Sequence, residues 1–136
     1  PKVSRSEIVF NEINIDWNSE LTLVEGPFDL FKCNQNATCL LGSTLSEGHK
    51  LFKMIVTNLT PVLLALDNDA SKKTQKIASL LASYDVPVRV MDTSGYEDVG
   101  EMTSEQFAKL SKSAPLWSSN DRLRSLISTI KSGSLL

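Results

Sequence analysis

Four short apolar runs divide the middle of the chain, and each is closed by a glycine or an acid. Leu21–Val24 stops at Glu25-Gly26, and Thr38–Leu41 stops at Gly42. Val62–Leu66 stops at Asp67-Asn68-Asp69, and Val86–Met91 stops at Asp92. The third run especially is continuously apolar, as in parallel strands buried on both faces. Between the runs the apolar residues change to helical spacing. Pro27 opens a short helix over Pro27–Cys33, proline being suited to a first helical turn. Thr44-x-x-Glu47 reads as a capping box for a helix to about Asn58, with Leu51, Phe52, Ile55 and Leu59 on one side. Ser71–Tyr84 carries Ile77, Leu80, Leu81 and Tyr84 in register. Thr103-x-x-Gln106 is a second capping box, for a helix to about Lys112, and Asp121–Lys131 is a last amphipathic helix. Near the start, Ile8, Phe10, Ile13 and Ile15 alternate with a slip of phase after Phe10, which predicts an edge strand or hairpin arm over Glu7–Asp16 with a bulge.

Strand and helix alternating in this order predict an α/β fold: a four-stranded, mostly parallel sheet flanked by helices, with an extra N-terminal edge strand and C-terminal helices. The expected division is an extension over 1–20, a core over 21–102 and a helical extension over 103–136.

Composition narrows the chemistry. The 136 residues suit one domain, and 41% hydrophobic with 22% charged residues is a globular balance. The net charge of -2 lacks the basic footprint of a self-sufficient nucleic-acid binder. Any nucleic acid would have to be held through a metal, a local patch or parts outside this chain. Cys33, Cys39 and the lone His49 match no zinc spacing. The cysteines read as small packed residues in a reducing compartment, with a disulfide as the other possibility. No stretch has the apolar length of a membrane span, and no signal peptide is evident. A cytoplasmic location without membrane partners is the expectation. Sequons at Asn36 and Asn58 are of a kind common by chance. The start at Pro1 without methionine points to a piece of something longer or a processed product.

The acids at the strand ends carry the main signal. In open α/β sheets ligands gather beyond the carboxyl ends of the strands. If the first and third runs are neighbours, Glu25, Asp67 and Asp69 converge there. Like charges raise one another's pKa, and oxygen ligands of this type suit Mg²⁺ or Mn²⁺. Taken alone, Asp67-Asn68-Asp69 would be a turn and helix cap. Gly26 and Gly42 allow close backbone approach at strand ends, or are turn glycines. Asp29 is a peripheral acid of the site or a first-turn complement to the helix dipole. Asp98 and Glu101 either add ligands for a second metal or form a solvated acidic loop. Lys72 and Lys73 follow the acidic pair and could meet phosphate, although such lysines more often form a solvated helix face. Trp17 and Trp117 could stack on bases, but packing of the terminal segments is their more ordinary use.

The ordered set Glu25-Gly26-x-x-Asp29, Leu41-Gly42-Ser43 and Asp67-x-Asp69, each after an apolar run, resembles the TOPRIM domain of topoisomerases, primases and certain nucleases. Leu41-Gly42-Ser43-Thr44-Leu45-Ser46 is similar to the Gly-Thr-x-Leu-Thr run of the bacterial and phage primase branch. Tyr96-Glu97-Asp98-Val99-Gly100-Glu101 is similar to that branch's Lys-Asp-Pro-x-Glu segment, with Glu97 standing where the family has Lys and Val99 where it has Pro. Ala70-Ser71-Lys72-Lys73 departs from the family's Ala-Gly. The resemblance covers about 21–102. It implies that Asp67 and Asp69 bind Mg²⁺ (or Mn²⁺) and that Glu25 binds metal or acts as a general acid/base. Asp98 would be a further metal ligand, while Gly26, Gly42 and Lys72 would contact nucleotide.

The implied activity is nucleotidyl transfer for RNA primer synthesis in DNA replication, on a single-stranded DNA template with nucleoside triphosphates. A replicative helicase, fused or separate, would be the partner, and a phage protein in a bacterial cytoplasm the setting. The family's template-binding and zinc modules do not occur in this chain, so little primer synthesis is expected from it alone. A TOPRIM nuclease, a receiver-like signalling domain and an inactive interaction module are the alternatives. The receiver class pairs its acids after the first strand and has a lysine after the last, unlike Glu25-Gly26 here.

Overall fold

The computed structural model describes residues 5–33, 36–118 and 127. Four parallel strands form one sheet: β1 (Leu21–Val24), β2 (Ala37–Cys39), β3 (Val62–Leu64) and β4 (Val88–Val90). Their spatial order is β2-β1-β3-β4. The helices are α1 (Lys50–Asn58), α2 (Ser71–Ser83) and α3 (Ser104–Ser113). Short 3₁₀ turns occupy Pro27–Lys32 and Val99–Glu101. The α/β fold expected from the alternating apolar runs is present: β1 coincides with its run, β3 and β4 are shorter than theirs, and β2 begins one residue before its run and ends two residues short of it.

The sheet is covered on both faces. Leu21, Leu23, Val62 and Leu64 pack with Leu51, Phe52 and Ile55 of α1 and Ile77, Ala78 and Leu81 of α2. Val24, Leu63 and Ala65 face the other way, onto Val99, Met102 and Phe107. Every residue of β1 is buried, which is why no polar alternation marked it. Thr22, whose hydroxyl is buried without a partner, is the one polar residue in that strand.

The N-terminal edge strand is absent. Residues Arg5–Glu7 and Glu12–Asn14 form 3₁₀ turns instead, with Asn11 left-handed at φ 62°. The alternation misread the buried face: Val9 is in the core, while Ile8 and Phe10 are exposed and Ile13 is 94% exposed. Asn11 and Thr38 nonetheless close the β2 edge, Asn11 Nδ2 donating to the Ala37 carbonyl (3.0 Å) and Thr38 Oγ1 to that of Phe10 (2.5 Å). Asn36 ties this segment down further, accepting from the Asp16 N–H (2.7 Å) and donating to the Glu20 carbonyl (2.9 Å).

The capping box at Thr44 does not start a helix. His49 is the N-cap of α1, and the Ser46 N–H donates to His49 Nδ1 (3.0 Å). Glu47 is drawn off by Tyr84, whose hydroxyl donates to Glu47 Oε2 (2.6 Å), and Leu45 turns into the core. The second box forms as expected: Gln106 N–H donates to Thr103 Oγ1 (3.1 Å) and Thr103 N–H to Gln106 Oε1 (2.8 Å). The chain then returns along β4, where Val90 N–H donates to the Pro115 carbonyl (3.1 Å) and Trp117 N–H to that of Val88 (2.7 Å). Both tryptophans are half-buried and pack against the core, with Trp117 Nε1 donating to Gln75 Oε1 (2.8 Å). The helix expected over Asp121–Lys131 lies outside the described residues apart from Ile127, which is helical. Both cysteines are free thiols. Among the described residues, no helix is long and apolar enough to cross a membrane.

Candidate functional site

The topology places a crevice at the carboxyl ends of β1 and β3. These strands are neighbours, with Leu21, Thr22 and Leu23 in register with Val62, Leu63 and Leu64. The turn after β1 contributes Leu30 and Cys33 to one face of the sheet, while α2 after β3 packs on the other. Where successive connections leave on opposite faces, a gap opens between the strand ends, and open α/β sheets bind their ligands there. Glu25 follows β1 and Asp67 lies just beyond β3, so both stand at this gap.

Asp67 is the electrostatic centre. Its Oδ1 is buried with no hydrogen-bond partner. Its pKa is pushed up to about 6, first by desolvation and then by the charges of Glu25, Asp29, Asp98 and Asp69. Four carboxylates, from the turn after β1, the turn after β3 and the 92–98 loop, are thus within electrostatic reach of Asp67. Asp67, Asn68, Asp69, Glu97 and Asp98 line a cleft of about 380 Å³. The 92–98 loop is tied to the end of β3 by Thr93 Oγ1 donating to the Leu66 carbonyl (3.0 Å).

The acids differ in how they are held. Asp29 is buried and accepts from Gly26 N–H through Oδ2 (3.1 Å) and from Gly100 N–H through Oδ1 (2.9 Å). Asp98 caps the turn that follows it, Oδ1 accepting from Glu101 N–H (3.1 Å). Glu101 in turn accepts from the Glu97 N–H. Glu25 is paired with Lys73: Nζ lies 2.9 Å from Oε2, and the two side chains are 19% and 17% exposed. Asp69 is exposed at the rim.

Of the sequence-selected residues, Asp67, Asp69 and Asp98 line one cleft, and Glu25, outside its lining, acts on Asp67 through its charge. Lys72 is exposed in the first turn of α2, and neither it nor Gly26 or Gly42 lines the cleft. Gly42 has φ 78° in the turn after β2, a backbone state suited to glycine. Gly26 has extended backbone, and a Cβ there would meet only Asp29 Oδ2, at 3.9 Å. Gly100, by contrast, is packed between two acids: a Cβ would stand 3.1 Å from Asp98 Oδ1 and 3.2 Å from Asp29 Oδ1.

The role of Lys73 as the partner of Glu25 was missed in the sequence, as was the bridging role of Asp29. A signal for the first existed: Lys73 is four residues before the buried Ile77, so it flanks the buried stripe of α2, whereas Lys72 and Lys76 point to solvent. Cys33 lies beside this network, its Sγ donating to the Asp29 carbonyl (3.4 Å), and burial followed by the Asp29 charge pushes its thiol up to about 12.

The donor set is all oxygen, and the unpartnered Asp67 Oδ1 is the atom a hard cation would satisfy. Among the described residues no group of three or more His, Cys, Asp or Glu side chains is placed to hold a metal by itself. A cation at this position would have at most two protein carboxylates and would complete its shell from outside the chain, with phosphate oxygens and water, as Mg²⁺ can.

No protein-family model matches the chain. No curated protein matches it either. Among solved structures, the fold is similar to the crystal structure of the Aquifex aeolicus primase, zinc-binding and RNA polymerase domains, with a TM-score of 0.61 and 23% sequence identity. The likeness covers 83% of this chain and 29% of that one, so this chain spans less than a third of the protein it matches.

Proposed function

We propose that this chain is the TOPRIM catalytic subdomain of a DNA primase, performing metal-dependent nucleotidyl transfer during primer synthesis. The observation that carries this reading is the convergence of Glu25, Asp67 and Asp69 at the β1/β3 gap, with Asp67 Oδ1 buried and unpartnered. The fold shared with a primase supports it.

In this reading Asp67 and Asp69 hold Mg²⁺ (or Mn²⁺), and Asp98 lies across the same cleft as a further ligand. When bound, Mg²⁺ would neutralise charge on the triphosphate, the chemistry needed where a primer 3′-oxygen bonds to the α-phosphorus and pyrophosphate leaves. Glu25 stands beside the pair as a ligand or a proton acceptor, its orientation set by Lys73. Asp29 fixes the backbone of Gly26 and Gly100 and so the spacing of the walls. Lys72, exposed at the start of α2, is available to a phosphate. Template DNA, a helicase partner and a cytoplasmic setting belong to the same proposal.

The test is a calorimetric Mn²⁺ titration of the chain against the Asp67→Ala/Asp69→Ala double variant, both checked for folding by circular dichroism. Binding that the variant loses supports the reading. A folded wild type that takes up no Mn²⁺, with or without a nucleoside triphosphate, overturns it. Metal-dependent cleavage of DNA or RNA that Glu25→Ala abolishes would assign the same acids to a nuclease instead.

A further inference from the structure

The Glu25–Lys73 pair has a consequence for how the site fills. Among the described residues, the charges of Glu25, Asp29, Asp69 and Asp98 act on Asp67, and Lys73 is in ion-pair contact with Glu25. Asp29 and Asp98 are satisfied by backbone N–H groups, Glu25 by the ammonium, and Asp67 Oδ1 by nothing. A cation arriving at Asp67 therefore finds Asp67 Oδ1 unpartnered, Asp69 exposed at the rim and Glu25 already neutralised. The pair is about four-fifths shielded from solvent, so its attraction is screened less than that of an exposed ion pair. Lys73 also stands at the start of α2, three residues past the Ala70 N-cap, on a four-carbon stem that can turn its ammonium toward an anion held at the same gap.

We propose that Lys73 is a built-in competitor for the metal: it occupies Glu25 until a triphosphate arrives, then moves to the phosphate and releases Glu25 to the cation. Metal and triphosphate then bind cooperatively, each removing an obstacle for the other, and the coupling is reciprocal. A divalent ion without nucleotide is held weakly. This deepens the metal reading above and rests on it.

The experiment is Mn²⁺ calorimetry on the full chain, alone and with a non-hydrolysable nucleoside triphosphate. Lys73→Gln should bind Mn²⁺ alone about three- to tenfold more tightly than wild type, the charge competing for Glu25 having gone. Lys76→Gln, which removes an exposed charge one turn on, should change it less than about twofold. In a Glu25→Gln background, Lys73→Gln should give no further gain. The triphosphate should raise Mn²⁺ affinity more in wild type than in Lys73→Gln.

Lys73→Met, which keeps the aliphatic stem, replaces Lys73→Gln if circular dichroism shows that variant unfolded. Equal or weaker Mn²⁺ binding by the Lys73 variant, in a protein whose binding is still lost in Asp67→Ala/Asp69→Ala, overturns the competitor role and leaves the metal site standing. Absence of binding in every protein, with and without triphosphate, overturns both.

Discussion

Asp29 Oδ1 accepts a hydrogen bond from the Gly100 N–H at 2.9 Å, across 71 residues of chain. Its other oxygen accepts from Gly26 N–H at 3.1 Å, so one buried carboxylate joins the turn after β1 to the turn after the 92–98 loop. Asp29→Ala leaves two backbone donors without this acceptor. The expected loss is about 2–3 kcal/mol of unfolding free energy, since bonds to a charged acceptor exceed the neutral average. Asp29→Asn, which keeps one acceptor oxygen, should lose less. Urea unfolding followed by circular dichroism measures both, and equal losses would show that the second bond contributes nothing.

Gly100 tests the same junction from the other side. An alanine methyl there would sit 3.1 Å from Asp98 Oδ1 and 3.2 Å from Asp29 Oδ1, closer than a methyl ordinarily stands to oxygen. Both carboxylates are held by N–H groups of this turn and have little room to withdraw. Gly100→Ala should therefore destabilise by about 1–2 kcal/mol. Gly26→Ala, whose methyl would meet Asp29 Oδ2 at an ordinary 3.9 Å, should stay within about 0.5 kcal/mol of wild type. A reversed order in the melting temperatures would show that the packing around Gly100 does not govern this junction.

Asp67 predicts a pH dependence of defined sign. Its carboxyl is pushed up to about 6 in the folded chain, from the ordinary 3.8, by burial and then by the neighbouring acids. The folded state thus binds a proton more tightly than the unfolded state. Stability from this group is complete below about pH 4 and is lost as pH rises through 6. Asp67→Asn should accordingly stabilise the metal-free protein at pH 7.5 by about 1–2 kcal/mol after solvent screening. The gain should vanish near pH 4. Thermal melts of both proteins at the two pH values decide it, and a variant less stable than wild type at pH 7.5 would contradict the electrostatic account. Such a gain on removing an acid is what a site kept for binding rather than for stability should show.

The strands were legible because burial on both faces leaves continuous apolar runs, and their ends were blurred because apolar side chains continue past the last ladder pair. Ala65 and Leu66 are buried beyond β3. The N-terminal segment was not legible: Ile8 and Phe10 outweigh Val9 in a period-two reading, yet Val9 is the residue the core takes. Thr44 and Glu47 have the spacing of a cap, but Glu47 has a tertiary partner in Tyr84 and the helix starts six residues after Thr44. At the site, Glu25 and Asp67 could be placed because neighbouring parallel strands end together. The Lys73–Glu25 pair and the Asp29–Gly100 bond could not, because each joins elements whose mutual orientation only the packed helices define.

Arg89 provides the last test, far from any metal. From edge strand β4 its guanidinium donates twice to Glu20, Nε to Oε2 at 2.8 Å and Nη2 to Oε1 at 2.7 Å. Its Nη1 donates to the carbonyls of Ser111 (2.8 Å) and Ala114 (3.0 Å), at the end of α3. One planar side chain therefore fastens the segment before β1 and the segment after α3 to the sheet. A lysine ammonium cannot reproduce this fork. Arg89→Lys should lose about 2 kcal/mol and Arg89→Met about 3 kcal/mol in urea unfolding. Amide exchange should quicken first at Val90 and Trp117, whose N–H groups bond across the 115–117 segment that Arg89 anchors. Exchange that quickens instead uniformly over the sheet would mean that Arg89 supports the whole fold rather than this edge, and that 115–117 stays seated through Trp117 and Gln75.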